Sequence, residues 1–383
     1  MLEKKNIGFY LFAFMLALPF PLIYAAIAMG IMVVNAALLT KKENFKLTKW
    51  VVLCLLFFSI DIIRSLLFEA SFKGFSETKL SFIVVPILFY NIKEHLIAQR
   101  KNIMRFFAYG VVAYVLYAIG YLIFFYIKWY PRYIFSFTDH YVVYVLFNYL
   151  PGAYHHTYIG IYIAFAMIIL FDEVKHTQKK SYKYLKLFLF FLIFLMQFYI
   201  GSKMTMALSV LGLLIYVSFS RLGKKMFYTL FAGISAVSLV FFFFVKDWIM
   251  RGINKSVGYR LEYWEKASEL IQENPWFGIG VKNIKKNELL MLDGEIRSLI
   301  PHNLYLHELL ANGIFGIIFI LFLFYFLFRK AFEANDVVFI SFMFLCALLS
   351  LSEDLLYLQK GIFFFILFAT LFVVTHKKKD AMH

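Results

Sequence analysis

Residues 314–330 read IFGIIFILFLFYFLFRK, an unbroken apolar run closed by Arg329 and Lys330. Runs of this kind, most of them near the length that crosses a bilayer, recur along the whole chain and decide its class. The 383 residues are 62% hydrophobic and 21% aromatic, with a mean hydropathy of +0.76. A soluble domain has about 45–50% apolar residues. The excess predicts an all-α polytopic membrane protein. Short alternating segments, the mark of a transmembrane barrel, are missing from these runs.

Working outward from 314–328 towards the C-terminus, spans follow at 337–351 and 361–374, before Lys377, Lys378 and Lys379. In the other direction the polar stretch 246–313 comes first. Beyond it lie runs at 226–245, 204–220, 187–200, 157–171, 106–127, 80–92 and 50–68. A second helix reaching 39 and a first helix at 7–18 are separated by Pro19-Phe20-Pro21. The sum is about twelve transmembrane helices. Three parts result: 1–245 with nine helices, 246–313 as one large loop between helices nine and ten, and 314–383 with the last three helices and a tail. No internal repeat is visible.

The formal net charge is +16. In a soluble protein that would point to nucleic acid. Here Lys and Arg collect in alternate short segments, such as 41–49, 93–105 and 175–186, as membrane topology requires, and no nucleic-acid partner is expected. The pattern places both termini in the cytoplasm and the 246–313 loop outside, because long loops translocate largely regardless of charge. Lys4 and Lys5 before the first run imitate a signal peptide, but no small-residue cleavage site follows, so the run is read as a retained helix. Cys54 and Cys346 lie inside apolar runs and suggest neither a disulfide nor a metal site. No His, Cys, Asp and Glu spacing suggests a metal, and no Gly-rich phosphate loop is present, so no cofactor is expected.

The 246–313 stretch holds most of the polar groups able to do chemistry. Ser256 can cap a helix over 257–273, with Leu261, Trp264, Ala267 and Ile271 as its apolar stripe and Glu262 paired to Lys266. Asn274-Pro275 stops that helix, and Gly278 and Gly280 permit a tight return. The element is expected to lie on the membrane-embedded body. Arg260 falls in the first turn, where backbone N–H groups already favour an anion, and would suit a diphosphate. From spacing alone, a headgroup anchor or a partner of a loop carboxylate is the commoner role for such an Arg. His302 opens a second amphipathic stretch, 303–312, ending at Gly313. It can be read as a base for a sugar hydroxyl or as a capping, interfacial residue. His155-His156 at the start of the 157–171 helix either contact a sugar or phosphate or are interfacial. Asp61 and Arg64 share a helix face and are either functional or a structural ion pair. Glu353 and Asp354, at the end of the 337–351 helix, could face a donor groove or a sugar hydroxyl.

Several of these residues also stand in a familiar order. Arg260 and Trp264 are followed by Asn274-Pro275-Trp276-Phe277-Gly278-Ile279-Gly280, then Pro301-His302-Asn303-Leu304-Tyr305-Leu306, then Asn312-Gly313-Ile314-Phe315-Gly316. The combination resembles the O-antigen ligase and O-antigen polymerase superfamily, over about residues 200–320. The resemblance implies a GT-C-type integral membrane glycosyltransferase of the bacterial inner membrane, with a periplasmic active site and no metal. It implies His302 as catalytic base and Arg260 as diphosphate ligand. The family's Ser-Arg pattern falls on Ser202-Lys203, so Lys203 is the second diphosphate-binding residue, with charge but without the guanidinium fork. Asn303, Trp264, His156 and Arg251 are the further substrate contacts expected.

Two classes of function follow. A transferase would take a glycan from undecaprenyl diphosphate to an acceptor hydroxyl, on lipid A-core or another glycan, among the membrane lipids. A transporter of lipid-linked sugar would carry its polar groups near mid-membrane, often on repeats. Only Asp61 and Arg64 lie deep here, so the transferase is preferred. The ligase of lipopolysaccharide biosynthesis is the reading taken. A surface-polysaccharide polymerase is the alternative, and a protein O-glycosyltransferase shares the same donor grip.

Overall fold

A computed structural model describes residues 6–18, 22–40, 47–64, 66, 77–129, 150, 155–200, 202, 204–221, 255–286, 290–292, 295–297 and 301–376. The helix expected at 226–245, Arg251 and Lys203 lie outside the described residues, as do the side chains of Asp61, Arg64 and Arg260.

The helices are α1 (Ile7–Leu16), α2 (Leu22–Leu39), α3 (Lys49–Arg64), α4 (Ser81–Asn91), α5 (Lys93–Trp129), α6 (His156–His176) and α7 (Lys180–Tyr199), then α8 (Met204–Arg221). A 3-10 turn, Glu77–Leu80, leads into α4. The connecting region holds α9 (Lys255–Glu273) and α10 (Val281–Lys286), and α11 (Leu304–Ala334), α12 (Val337–Leu349) and α13 (Gln359–Val374) follow. Among the described residues, five helices are long and apolar enough to cross a membrane, and six further apolar helices are shorter. The chain is a multi-pass helical membrane protein.

The bundle is centred on α6 and α13. Every residue from Thr157 to Leu170 and from Lys360 to Val374 is buried. Phe165 and Phe342 both pack their rings on Phe364, Phe368 and Phe372, joining α6, α12 and α13. Interiors in lipid gain little from transfer out of water, so this interlocking of rings supplies the packing energy. The α2 and α7 helices expose Ile, Leu and Phe along one side and form the periphery.

Four expectations change. The basic segment 93–105, read as a loop, is the first part of the 37-residue α5. Its Arg100 pairs with Asp336, and Arg105 Nε lies 2.6 Å from Glu173 Oε1. Basic residues favour a loop only on hydropathy; they are good helix formers, and here partners on neighbouring elements meet them. The 246–313 stretch, expected to hold amphipathic helices, also carries a strand pair, Leu290–Leu292 with Glu295–Arg297, as a small antiparallel hairpin. Ser256 sits inside α9, which starts at Lys255, rather than capping it. Finally, Gly313 does not end a helix: α11 runs through it for 31 residues with a kink.

Candidate functional site

The kink explains two of the sequence motifs together. At Gly313 the backbone has φ 66°, ψ −157°, outside the helical region and accessible essentially to glycine alone. The break leaves backbone groups of α11 without intrahelical partners, and the turn after α9 takes them. Ile314 N donates to Pro275 O at 2.9 Å, while the Leu310 and Ala311 carbonyls accept from Ile279 N at 2.8 Å and Gly280 N at 3.0 Å. A Cβ on Gly313 would lie 2.2 Å from Trp276 O, and one on Gly278 2.5 Å from Leu310 O. The two glycine-bearing stretches, 274–280 and 312–316, are therefore two halves of one joint.

Above the joint, α9 packs on the first limb of α11 through Tyr263, Ala267, Ile279, Ile284, Leu310 and Ala311. The buried face thus turns on Tyr263 and Ala267, and Trp264 sits at its edge, 37% exposed. Trp264 Nε1 donates to Pro301 O at 2.9 Å. Its indole N–H holds the segment before α11 in place. Arg260 is one turn earlier on the same helix face. Lys266 lies 2.6 Å from Glu269; the side chain of Glu262, its expected partner, lies outside the described residues.

His302 follows Pro301 with φ 48°, one of two non-glycine residues with positive φ among those described. A left-handed histidine costs on the order of 1 kcal/mol or more, so its surroundings must hold it. The next residue does so. Asn303 is the N-cap of α11: its side-chain oxygen accepts from Tyr305 N at 3.0 Å and Leu306 N at 3.1 Å. Its own N–H donates to Asp354 Oδ1 at 3.2 Å. Leu304 N donates to Ser350 O at 2.8 Å. The α12–α13 connection thus clamps the start of α11.

The same connection supplies the partner of the imidazole. His302 Nδ1 lies 3.6 Å from Glu353 Oε2, with the histidine side chain 30% exposed and the glutamate 5%. The other carboxylate oxygen, Oε1, accepts from Thr157 Oγ1 at 3.0 Å. Glu353 therefore bridges the start of α6 to His302. With Nδ1 turned to the carboxylate, Nε2 is the nitrogen left for a substrate proton; this tautomer is assigned from the geometry. The separation is slightly longer than a hydrogen bond. The His155 ring lies 6.4 Å from that of His302 and 4.3 Å from that of His156. Three imidazoles of the sequence reading thus gather at one end of the bundle.

Behind them runs a buried polar layer. His307 Nδ1 lies 3.4 Å from Asp354 Oδ2, and its ring stacks on Tyr357 with centroids 3.6 Å apart. Tyr357 Oη donates to Glu308 Oε1 at 3.0 Å, and Asn312 Nδ2 to Glu308 Oε2 at 2.9 Å. The buried Lys79 ammonium sits 4.3 Å from the centre of the Tyr357 ring. None of Lys79, Thr157, His307, Glu308 and Tyr357 was singled out in the sequence. They lie in a 3-10 turn, at helix starts and in the α12–α13 connection, and nothing local shows that these segments meet.

Chemically, the arrangement is a half-exposed imidazole oriented by a buried carboxylate, beside a helix that carries Arg260 and Trp264. It suits removal of a proton from an approaching hydroxyl. Residues 188–321 match the family model described as O-antigen ligase. The matched segment starts in α7, contains Lys203, Arg251, Arg260, Trp264, His302 and Asn303, and ends past the Gly313 joint. It is the superfamily that the motifs resemble. No curated protein matches the chain.

Proposed function

We propose, from the O-antigen ligase family segment at 188–321, that this chain transfers a glycan from undecaprenyl diphosphate to the hydroxyl of an acceptor, lipid A-core, at the periplasmic face of the bacterial inner membrane. The observation that carries the reading is His302, held in a left-handed turn with Glu353 at its Nδ1 and Trp264 gripping the residue before it.

In the proposed step the acceptor O–H gives its proton to His302 Nε2. The acceptor oxygen bonds to the anomeric carbon, and the bond from that carbon to the diphosphate oxygen breaks, the pair leaving with the diphosphate. Glu353 orients the imidazole and balances the charge it gains. Arg260 and Lys203 stabilise the leaving diphosphate, where electrostatics supplies much of the rate. The residues named need no metal for this. Both termini lie in the cytoplasm on this reading, and Arg251 and His156 border the substrate. Asn303 acts through its cap on α11 and the bond to Asp354, and Trp264 through Pro301, so both position the base.

The test is product analysis. Purified protein in nanodiscs receives a synthetic undecaprenyl-diphosphate oligosaccharide, with and without lipid A-core. Glycan appearing on lipid A-core is the expected result. A ladder of longer lipid-linked chains without that acceptor would replace the ligase by a polymerase. Movement of intact donor across liposomes, with no new glycosidic bond, would overturn the transferase.

A further inference from the structure

Trp276 and Phe277 belong to the turn that closes the Gly313 joint, and their side chains are largely exposed. They are 60% and 50% exposed, and both lie against Phe315, itself 52% exposed. The ring centroids are 6.5 Å (Trp276–Phe315) and 5.4 Å (Phe277–Phe315) apart. Phe315 is the second residue of α11 beyond the kink. On the same side of that limb, at helical spacing, Ile318, Phe322 and Tyr325 are also exposed. The limb 314–334 is about 30 Å long at 1.5 Å per residue, the thickness of a bilayer's hydrocarbon core. Its charged residues, Arg329, Lys330 and Glu333, fall at the far end.

The three aromatics therefore continue a lipid-facing stripe upward onto the connecting region, and stop where it becomes polar. Such a cluster facing water would be costly, whereas large rings at the headgroup boundary are the normal occupants of that layer. The continuity with α11's lipid face identifies the occupant. We propose that Trp276, Phe277 and Phe315 form a membrane-interface anchor, seated among bilayer lipids, that ties the turn and the Gly313 joint to the membrane surface. Through Ile279 and Gly280 the same turn holds the first limb of α11, so the anchor sets the height of the Asn303 cap and of His302 above the lipid.

The experiment uses the full chain in single-copy phospholipid nanodiscs. The native Cys54 and Cys346 are buried, so nitroxide labels are introduced by Phe277→Cys and, separately, Trp276→Cys. Tyr325→Cys is the lipid reference and Glu269→Cys, on the polar side of α9, the aqueous one. Collision rates with oxygen and with a chelated nickel ion are read by electron paramagnetic resonance, on variants that elute as the parent does. Labels at 276 and 277 are expected to favour oxygen over nickel more than 269 does and less than 325, which lies deeper along the limb, as a position at the headgroup boundary requires. A ratio equal to that at 269 would overturn the proposal, as would low accessibility to both reagents, which means a protein cover. A lipid-like ratio that appears only after a polyprenyl diphosphate is added would also overturn it, by assigning the shelf to a substrate tail.

Discussion

The two ends of the bundle use charge in opposite ways. At the end that carries His302, Glu353 and Asp354 are buried and spend their oxygens on groups from other elements: Thr157, the Asn303 N–H, His302 and His307. At the other end Glu173 meets Arg105 at 2.6 Å and Lys186 at 3.0 Å, Arg100 meets Asp336, and Arg329 meets Glu333 on one helix surface. These are simple cation–carboxylate pairs, and the Glu173 set borders a cavity lined in part by Lys101, Arg105, Asp172, Glu173, His176 and Lys186. The exposed Arg329–Glu333 pair contributes about 0–1 kcal/mol, and the more buried pairs neutralise charges that would otherwise be costly inside the bundle. The His302 end instead holds a left-handed backbone and a carboxylate aimed at a half-exposed ring, an arrangement that stability alone does not require.

The sharpest way to break this contrast is His302→Ala. Loss of a general base costs about 10²–10⁴-fold in turnover, and the variant should purify as the parent does; undiminished glycan transfer would remove the catalytic role. Next comes Gly313→Ala, which places a Cβ against Trp276 O and forces a non-glycine residue into a forbidden conformation. We expect a loss of at least about 1–3 kcal/mol, read as a lowered thermal midpoint in detergent. Glu353→Gln keeps the shape but removes the charge facing Nδ1. Turnover should fall up to about 10²-fold, with donor binding little changed, as for a mispositioned base; a change confined to binding would make Glu353 a substrate contact. Asn303→Ala deletes the α11 cap and should cost about 1 kcal/mol, with Asn303→Asp restoring most of it. The smallest effect on turnover belongs to the opposite end: Glu173→Gln, at a carboxylate 11% exposed between Arg105 and Lys186, should lower stability by about 1–3 kcal/mol and leave turnover as it was. A large activity loss there would mean that the two ends are coupled.

The sequence reading was accurate where short-range pattern governs. The α9 helix, its stop at Asn274-Pro275 and the tight return at Gly278 and Gly280 follow from helix period and backbone sterics, and positive φ is found at both glycines. It failed where the signal was hydropathy alone. Arg100 and Arg105 looked like a loop because they are charged, although nothing in them breaks a helix. Gly313 looked like a terminus because nothing local says that a distant turn will satisfy the groups released by a kink. At the site, His302 and Asn303 were visible as a motif. Trp264 was singled out as a substrate contact, and its N–H bond to Pro301 could not be read from the sequence.

By itself the sequence determined the membrane class, the order of helices and the residues around which chemistry can be built, since hydropathy, helical period and glycine or proline sterics act within a few residues. Only the tertiary structure decided which carboxylate serves which partner. Thr157 and Glu353 are 196 residues apart, and the Asn303 N–H is 51 residues from the Asp354 that receives it. Pairings at that separation are set by how α6, α11 and the α12–α13 connection pack together, because a buried polar group must find whatever partner the fold brings within hydrogen-bond reach.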